Sequence, residues 1–159
     1  MPDQQTIRDG EQSVETDHPT DAALRFIGRI NTPWRRRADC PRQGRPDGPE
    51  CTIEIFEPWG PALRGLERYD RIEVLYWLHH SRRDLVLQNP AHDGQLFGTF
   101  ALRSPVRPNP IGTAMVSLVA LQGLLLTVRG LDCLDGTPLV DIKPDRCAFS
   151  PKAPPKPGS

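Results

Sequence analysis

Pro105, Pro108 and Pro110 crowd into the stretch LRSPVRPNPIG at residues 102–112, and the apolar run TAMVSLVAL (113–121) follows at once. Proline has no backbone N–H, so neither a helix nor a central strand can pass through residues 105–110. Each residue ahead of a proline is also pushed towards extended geometry. The chain must therefore form a stiff loop here that feeds directly into a strand. Arg103, Ser104, Arg107 and Asn109 stand within that loop and point along directions its backbone sets in advance. Preorganised donors of this kind suit a phosphate, a carboxylate or a purine edge. The same arginines could equally cap strand carbonyls.

Short β-like runs dominate the remainder: RFIGRI (25–30), CTIEIF (51–56), RIEVLYWL (71–78), LFGTFAL (96–102), TAMVSLVAL (113–121), LLLTVRG (124–130) and PLVDI (138–142). Several alternate apolar with polar residues, as a half-buried strand requires. Turn signals PDGPE, NPAHDG and LDGTP separate them. One short helix is predicted over residues 61–69, with Pro61 in its first turn and Leu63, Leu66 and Tyr69 on one side. Many short strands and a single helix predict a mainly β fold, a single-sheet barrel closed or nearly closed on itself. No G-x-G-x-x-G follows a strand, so a Rossmann-type cofactor site is unsupported.

Composition sets the boundaries. A chain of 159 residues has room for one domain with a real core. Its formal net charge of zero hides a division: residues 1–24 hold six acids against Arg8, and residues 25–46 hold seven arginines against Asp39. The acidic, polar residues 1–22 are predicted to be a disordered tail. The barrel domain is placed at 23–149, and SPKAPPKPGS (150–159) is read as an irregular Pro-rich tail. The basic segment hints at a phosphate-bearing partner, with Trp34 and Arg35–Arg37 as a candidate patch. The cysteines Cys40, Cys51, Cys133 and Cys147 show no C-x-x-C pair, so no metal is expected. With no signal-like stretch and no apolar run near ~20 residues, a cytoplasmic protein without a membrane span is expected.

Three further segments carry candidate chemistry. In CPRQGRP (40–46), two prolines lower the cost of ordering Arg42 and Gln43 for a ligand. In WLHHS (77–81), His79 and His80 leave the end of a strand, where adjacent side chains point to opposite faces. In GLDCLDGTPLVDIKP (130–144), Asp132 and Asp135 precede a Gly136 turn, while Asp141 and Lys143 share one strand face. An acid between Val140 and Ile142 needs a partner, and Lys143 or a loop arginine could supply it. No nucleophile elbow, P-loop, catalytic triad order or H-E-x-x-H appears.

PRQ (41–43), RGLERYDRIEVLYWLHH (64–80), ALRSPVRPNPIG (101–112) and LDCLDGTPLVDIKP (131–144), taken together and in this order, resemble the TsaA-like, or TrmO-like, family. Its members are S-adenosylmethionine-dependent methyltransferases acting on a modified adenosine of tRNA. The resemblance spans roughly residues 25–145. It implies a single-sheet β-barrel and a homodimer with the cofactor near the subunit interface. It assigns Pro41, Arg42, Gln43, His79, His80, Arg103, Met115, Leu134, Asp135, Gly136 and Thr137 to the cofactor site. Arg107, Asn109, Asp141 and Lys143 fall on the remaining motif positions and are assigned to the acceptor pocket or its loops. Among them, Asp141 is the candidate proton acceptor. The implied acceptor is the exocyclic nitrogen of threonylcarbamoyl-adenosine beside the anticodon. The alternative reading is a non-catalytic barrel that binds S-adenosylmethionine as a sensor. Two residues depart from the family pattern: His80, where glutamine is common, and Asp145, where an aromatic is expected.

Overall fold

The alternation in RIEVLYW sends Ile72, Val74 and Tyr76 one way and Glu73, Leu75 and Trp77 the other. In the computed structural model this stretch is a strand whose first set is buried. The structure describes residues 6–15, 17 and 21–145. Among these, the strands are β1 (Gln12–Ser13), β2 (Gly28–Asn31), β3 (Glu50–Ile55), β4 (Arg71–Trp77), β5 (Leu85–Gln88), β6 (Phe97–Gly98), β7 (Ile111–Gln122), β8 (Leu125–Arg129) and β9 (Thr137–Pro144).

Six of them close into a barrel in the order β2-β3-β8-β7-β4-β9, every neighbouring pair antiparallel and β9 returning to β2. This is the expected single-sheet barrel. Closure removes the exposed edges that an open sheet of this size would present. The inward positions are aliphatic: Ile30, Ile53, Ile72, Val74, Val116, Leu126, Val128 and Leu139 are sealed from solvent. Each contributes about 1.5–3 kcal/mol by leaving water. Hydrophobic burial along the barrel axis is what fixes the register.

A second sheet, β1-β5-β6, lies beside the barrel. Sequence reasoning missed β5, whose four residues show no clean alternation, and predicted disorder where β1 forms. Part of the acidic segment is ordered because it finds partners. Gln12 and Ser13 pair with Leu87 and Leu85, and Glu11 accepts the Asn89 N–H at 2.8 Å. Arg8 donates to the carbonyl oxygens of Asn89 and Pro90. The Pro-rich segment 150–159 lies outside the described residues.

The helix predicted over 61–69 is present as two 3-10 turns, Gly60–Leu63 and Leu66–Arg68. Gly65 separates them at φ 91°, a left-handed geometry that glycine adopts without strain and that no helix passes through. The run at 96–102 likewise gives only the short β6 before turning through Thr99–Ala101. Among the described residues no helix is long and apolar enough to cross a membrane.

Candidate functional site

The three-proline loop is pinned at several points before it enters β7. Buried Gln88, on β5, donates from Nε2 to the Val106 carbonyl at 2.8 Å and to Thr99 Oγ1 at 2.9 Å. Thr99 Oγ1 in turn donates to the Leu85 carbonyl at 2.7 Å. Arg83, stacked over Trp77 at 5.1 Å, donates to the Pro108 carbonyl and to Asn109 Oδ1. Arg107 folds back onto its own loop, donating to the carbonyls of Leu102 and Ser104 at 2.9 and 3.0 Å. Proline rigidity and these bonds together leave Arg103 exposed on a fixed support.

Arg103 stands at the rim of a cavity of about 1390 Å³ at one end of the barrel. Residues 40–44, 78–81, 102–105 and 132–134, with Phe100, Arg107 and Gly130, form its walls, and it continues along the outer faces of β4 and β7 past Glu73, Thr113 and Met115. It brings together Pro41, Arg42, Gln43, His79, His80, Arg103, Met115, Leu134 and Thr137, nine of the eleven residues assigned to a cofactor. Arg107 lines it too. The volume exceeds the ~300–1,000 Å³ of an ordinary ligand pocket, leaving space for two reactants. Among the described residues no His/Cys/Asp/Glu group could hold a metal ion.

Other expected residues lie outside the lining. Asp135 is engaged with the loop after β2: its Oδ1 accepts the Thr32 N–H at 3.0 Å, and its own N–H donates to the Trp34 carbonyl. Gly136 gives its N–H to the Ile30 carbonyl. Asn109 faces Arg83. Asp141 and Lys143 do share one face of β9, as the sequence suggested, but it is the outward one. They sit opposite Leu75 and Glu73 in register. Asp141 Oδ1 accepts the Ile142 N–H at 2.8 Å, so this acid between apolar neighbours is satisfied locally and not by Lys143 or a loop arginine. Trp34 packs on the barrel core and Arg36 pairs with Asp39, which leaves Arg35 and Arg36, not the indole, on the surface.

The histidines also differ from expectation. Strand β4 ends at Trp77, so His79 and His80 occupy a turn and do not point to opposite faces. Their ring centroids are 3.8 Å apart. Burial, and then the neighbouring His80, hold the His79 pKa below the ordinary imidazole range. Asp145, which replaces an expected aromatic, pairs with Arg71 at 3.4 Å beside the β4–β9 seam.

Sequence reasoning missed a buried pair in the cavity wall. Tyr76 points inward from β4, and its hydroxyl donates to Asp132 Oδ1 at 2.6 Å. Burial pushes the Tyr76 phenol far above its usual range, and the Asp132 charge pushes it the same way. Burial also raises the Asp132 carboxyl, against the opposing Tyr76 hydrogen bond, the nearby Gly44 amide and the charge of Arg103. Cys133 is pushed up to about 12, chiefly by burial, and is a packing thiol rather than a nucleophile. A tyrosine on the inward face of a strand needs a hydroxyl partner, and that signal could have identified Asp132.

Comparison with known proteins follows the same outline. The tRNA-methyltransferase O N-terminal domain family matches residues 29–149. A Rhizobium radiobacter protein named probable S-adenosyl-L-methionine-binding protein VirR is 57% identical over 148 residues, covering 93% of this chain and 85% of its own length. The Escherichia coli tRNA (adenine(37)-N6)-methyltransferase is 33% identical over 129 residues, 74% of this chain and 55% of that protein. A crystal structure of TrmO from Pseudomonas aeruginosa superposes with a TM-score of 0.63 at 31% identity, covering 80% of this chain and 59% of the other. The chain thus matches about three fifths of the solved TrmO chain.

Proposed function

The chain belongs to the tRNA-methyltransferase O N-terminal domain family, and on that premise we propose that it transfers a methyl group from S-adenosylmethionine to an adenosine of tRNA. The observation that carries this reading is the convergence of nine expected cofactor residues, from five separate segments, on one cavity. The donor set fits the cofactor. Arg42 and Arg103 suit its carboxylate, Gln43 its polar edges, and Leu78, Leu134 and Met115 the faces of its adenine.

The cofactor, when bound, supplies a methyl group already activated by the positive charge on sulfur. The S–CH3 bond breaks as the N–CH3 bond forms, and the acceptor nitrogen gives up one proton. What remains for the protein is alignment and the exclusion of competing water. A site without an activated nucleophile is adequate for that. Arg107, on the stiff loop, stands on the acceptor side. Of the residues first assigned to the acceptor, Arg107 lines the cavity, whereas Asn109, Asp141 and Lys143 do not.

The acceptor we favour is the exocyclic nitrogen of threonylcarbamoyl-adenosine, whose acidic substituent matches the arginine-lined rim. Such a protein works in the cytoplasm, where tRNA is. The cavity runs open along the outer faces of β4 and β7, past exposed Phe100, Ile111 and Met115. A second copy of the chain covering that face would complete the site as a homodimer, and sedimentation would read its mass. Incubation with methyl-labelled S-adenosylmethionine and tRNA, followed by nucleoside analysis, tests the activity: label in the modified adenosine supports it. Binding without transfer to any RNA supports the sensor reading, which the naming of the Rhizobium radiobacter relative as a binding protein favours.

A further inference from the structure

We propose that Gln88 is a positioning residue: it fixes the loop that carries Arg103 and Arg107, and residues 8–13 of the N-terminal segment fix Gln88 in turn. The inference rests on the cofactor reading above for what that loop does, and on geometry alone for how it is held. The N-terminal segment precedes residues 29–149, the part of the chain that the family matches, and so lies outside what the family pattern describes.

Gln88 ends β5 and is 5% exposed. Its Nε2 donates to the Val106 carbonyl at 2.8 Å and to Thr99 Oγ1 at 2.9 Å. Those two partners belong to different parts of the cavity wall. Val106 sits in the proline loop beside Arg107, three residues after Arg103. Thr99 opens the turn Thr99–Ala101, which carries Phe100 to the cavity. Both partners are buried, and Thr99 Oγ1 is itself tied to the Leu85 carbonyl at 2.7 Å. One amide group thus sets the spacing between the turn and the arginine loop. Burying an amide costs free energy that an aliphatic side chain of the same length does not incur. What the amide adds is direction, two bonds of fixed length and angle.

The next residue anchors Gln88. Asn89, 2% exposed, is gripped by the N-terminal segment. Its N–H donates to Glu11 Oε1 at 2.8 Å, its Nδ2 donates to the Asp9 carbonyl at 3.3 Å, and its carbonyl accepts from Arg8 Nη1 at 2.9 Å. The second Glu11 oxygen accepts the Arg8 N–H, which sets those two residues against each other. Gln12 and Ser13 extend the grip along β5 by pairing with Leu87 and Leu85. On its other side, Asn89 Oδ1 accepts the N–H groups of Asp93 and Gly94 and closes the turn after β5. The strand end that carries Gln88 cannot shift without breaking several of these bonds together.

Hydrogen–deuterium exchange on the ligand-free full chain tests the support whatever the cavity binds. Gln88→Met keeps the length of the side chain and removes both donors. It should speed exchange across residues 99–107 while β3 and β8 keep their protection. Thr99→Val, which keeps the shape and removes only one of the two bonds, should give a smaller change. Glu11→Ala should speed exchange at residues 87–89 and also at 99–107. Calorimetric titration with S-adenosylmethionine then separates positioning from general support. Gln88→Met should weaken Kd at least fivefold in the wild-type background and less than twofold in the Arg103→Ala background, because it acts through that arginine. Unchanged exchange over 99–107 in Gln88→Met overturns the proposal, as does exchange rising equally through the barrel. The same weakening of Kd in both backgrounds overturns the positioning role. A Glu11→Ala effect that stops short of residue 99 removes the N-terminal segment from the support. If wild type itself binds no S-adenosylmethionine, the cofactor reading falls, and exchange over 99–107 still decides how the loop is held.

Discussion

A Cβ placed on Gly44 would lie 1.7 Å from the carbonyl oxygen of Gly130. No rotamer can relieve that contact, because both partners are backbone, so the loop that carries Arg42 and Gln43 can sit in its place only with glycine at position 44. Gly44→Ala must move the loop outward or strain the β8–β9 connection. The expected result is a loss of about 1–3 kcal/mol in stability, or a displaced loop with little stability change. In either case affinity for S-adenosylmethionine falls at least tenfold. Thermal melting combined with titration distinguishes the two, and unchanged affinity would contradict the geometry.

Asp132 gives stability an unusual pH dependence. Its carboxyl is raised in the folded chain, chiefly by burial. As pH climbs past the unfolded value of about 3.9, the unfolded state releases its proton first, and this group's contribution to stability declines until the folded value is passed. Tyr76, Cys133 and Cys40 face it with their pKa values raised, so they stay protonated throughout that range, and Arg103 supplies a nearby positive charge. The stability of Asp132→Asn relative to wild type should therefore improve as pH rises from about 3 towards 7. Urea melts at several pH values check this. A stability of Asp132→Asn that falls relative to wild type as pH rises would contradict it.

The barrel was legible in the sequence because burial on one face imposes period-two alternation, and β4 and β8 show it plainly. What failed has local causes. Strand β5 is short and belongs to a side sheet, so LVLQ carries no face to read. Strand β1 forms through partners more than seventy residues away, which composition cannot reveal. The motifs located most of the cavity wall, yet Asp141 and Lys143, which they also single out, lie on β9 outside the lining. They also passed over Asp132, which sequence spacing made look like part of a turn.

Asp141 is expected to be dispensable for proton transfer. It lies outside the cavity and accepts the Ile142 N–H. Asp141→Asn keeps an acceptor oxygen there, so kcat/KM for methyl transfer should stay within about threefold of wild type. A loss of a hundredfold or more with normal cofactor binding would return Asp141 to the mechanism.

Arg35 and Arg36 remain the exposed basic pair beside the cavity wall at Arg37. If each neutralises one tRNA phosphate, replacing both with alanine should weaken tRNA binding uniformly. The slope of log affinity against log salt should then fall by roughly 1.5–2. Filter binding across a salt series measures it, and an unchanged slope would remove the pair from the RNA surface.

Calorimetric titration of the purified chain with S-adenosylmethionine reads the central claim most directly. Saturable binding of one cofactor per chain, weakened at least tenfold by Gln43→Ala and by Arg103→Ala, is the predicted result. A flat titration of a folded wild-type chain would contradict the account.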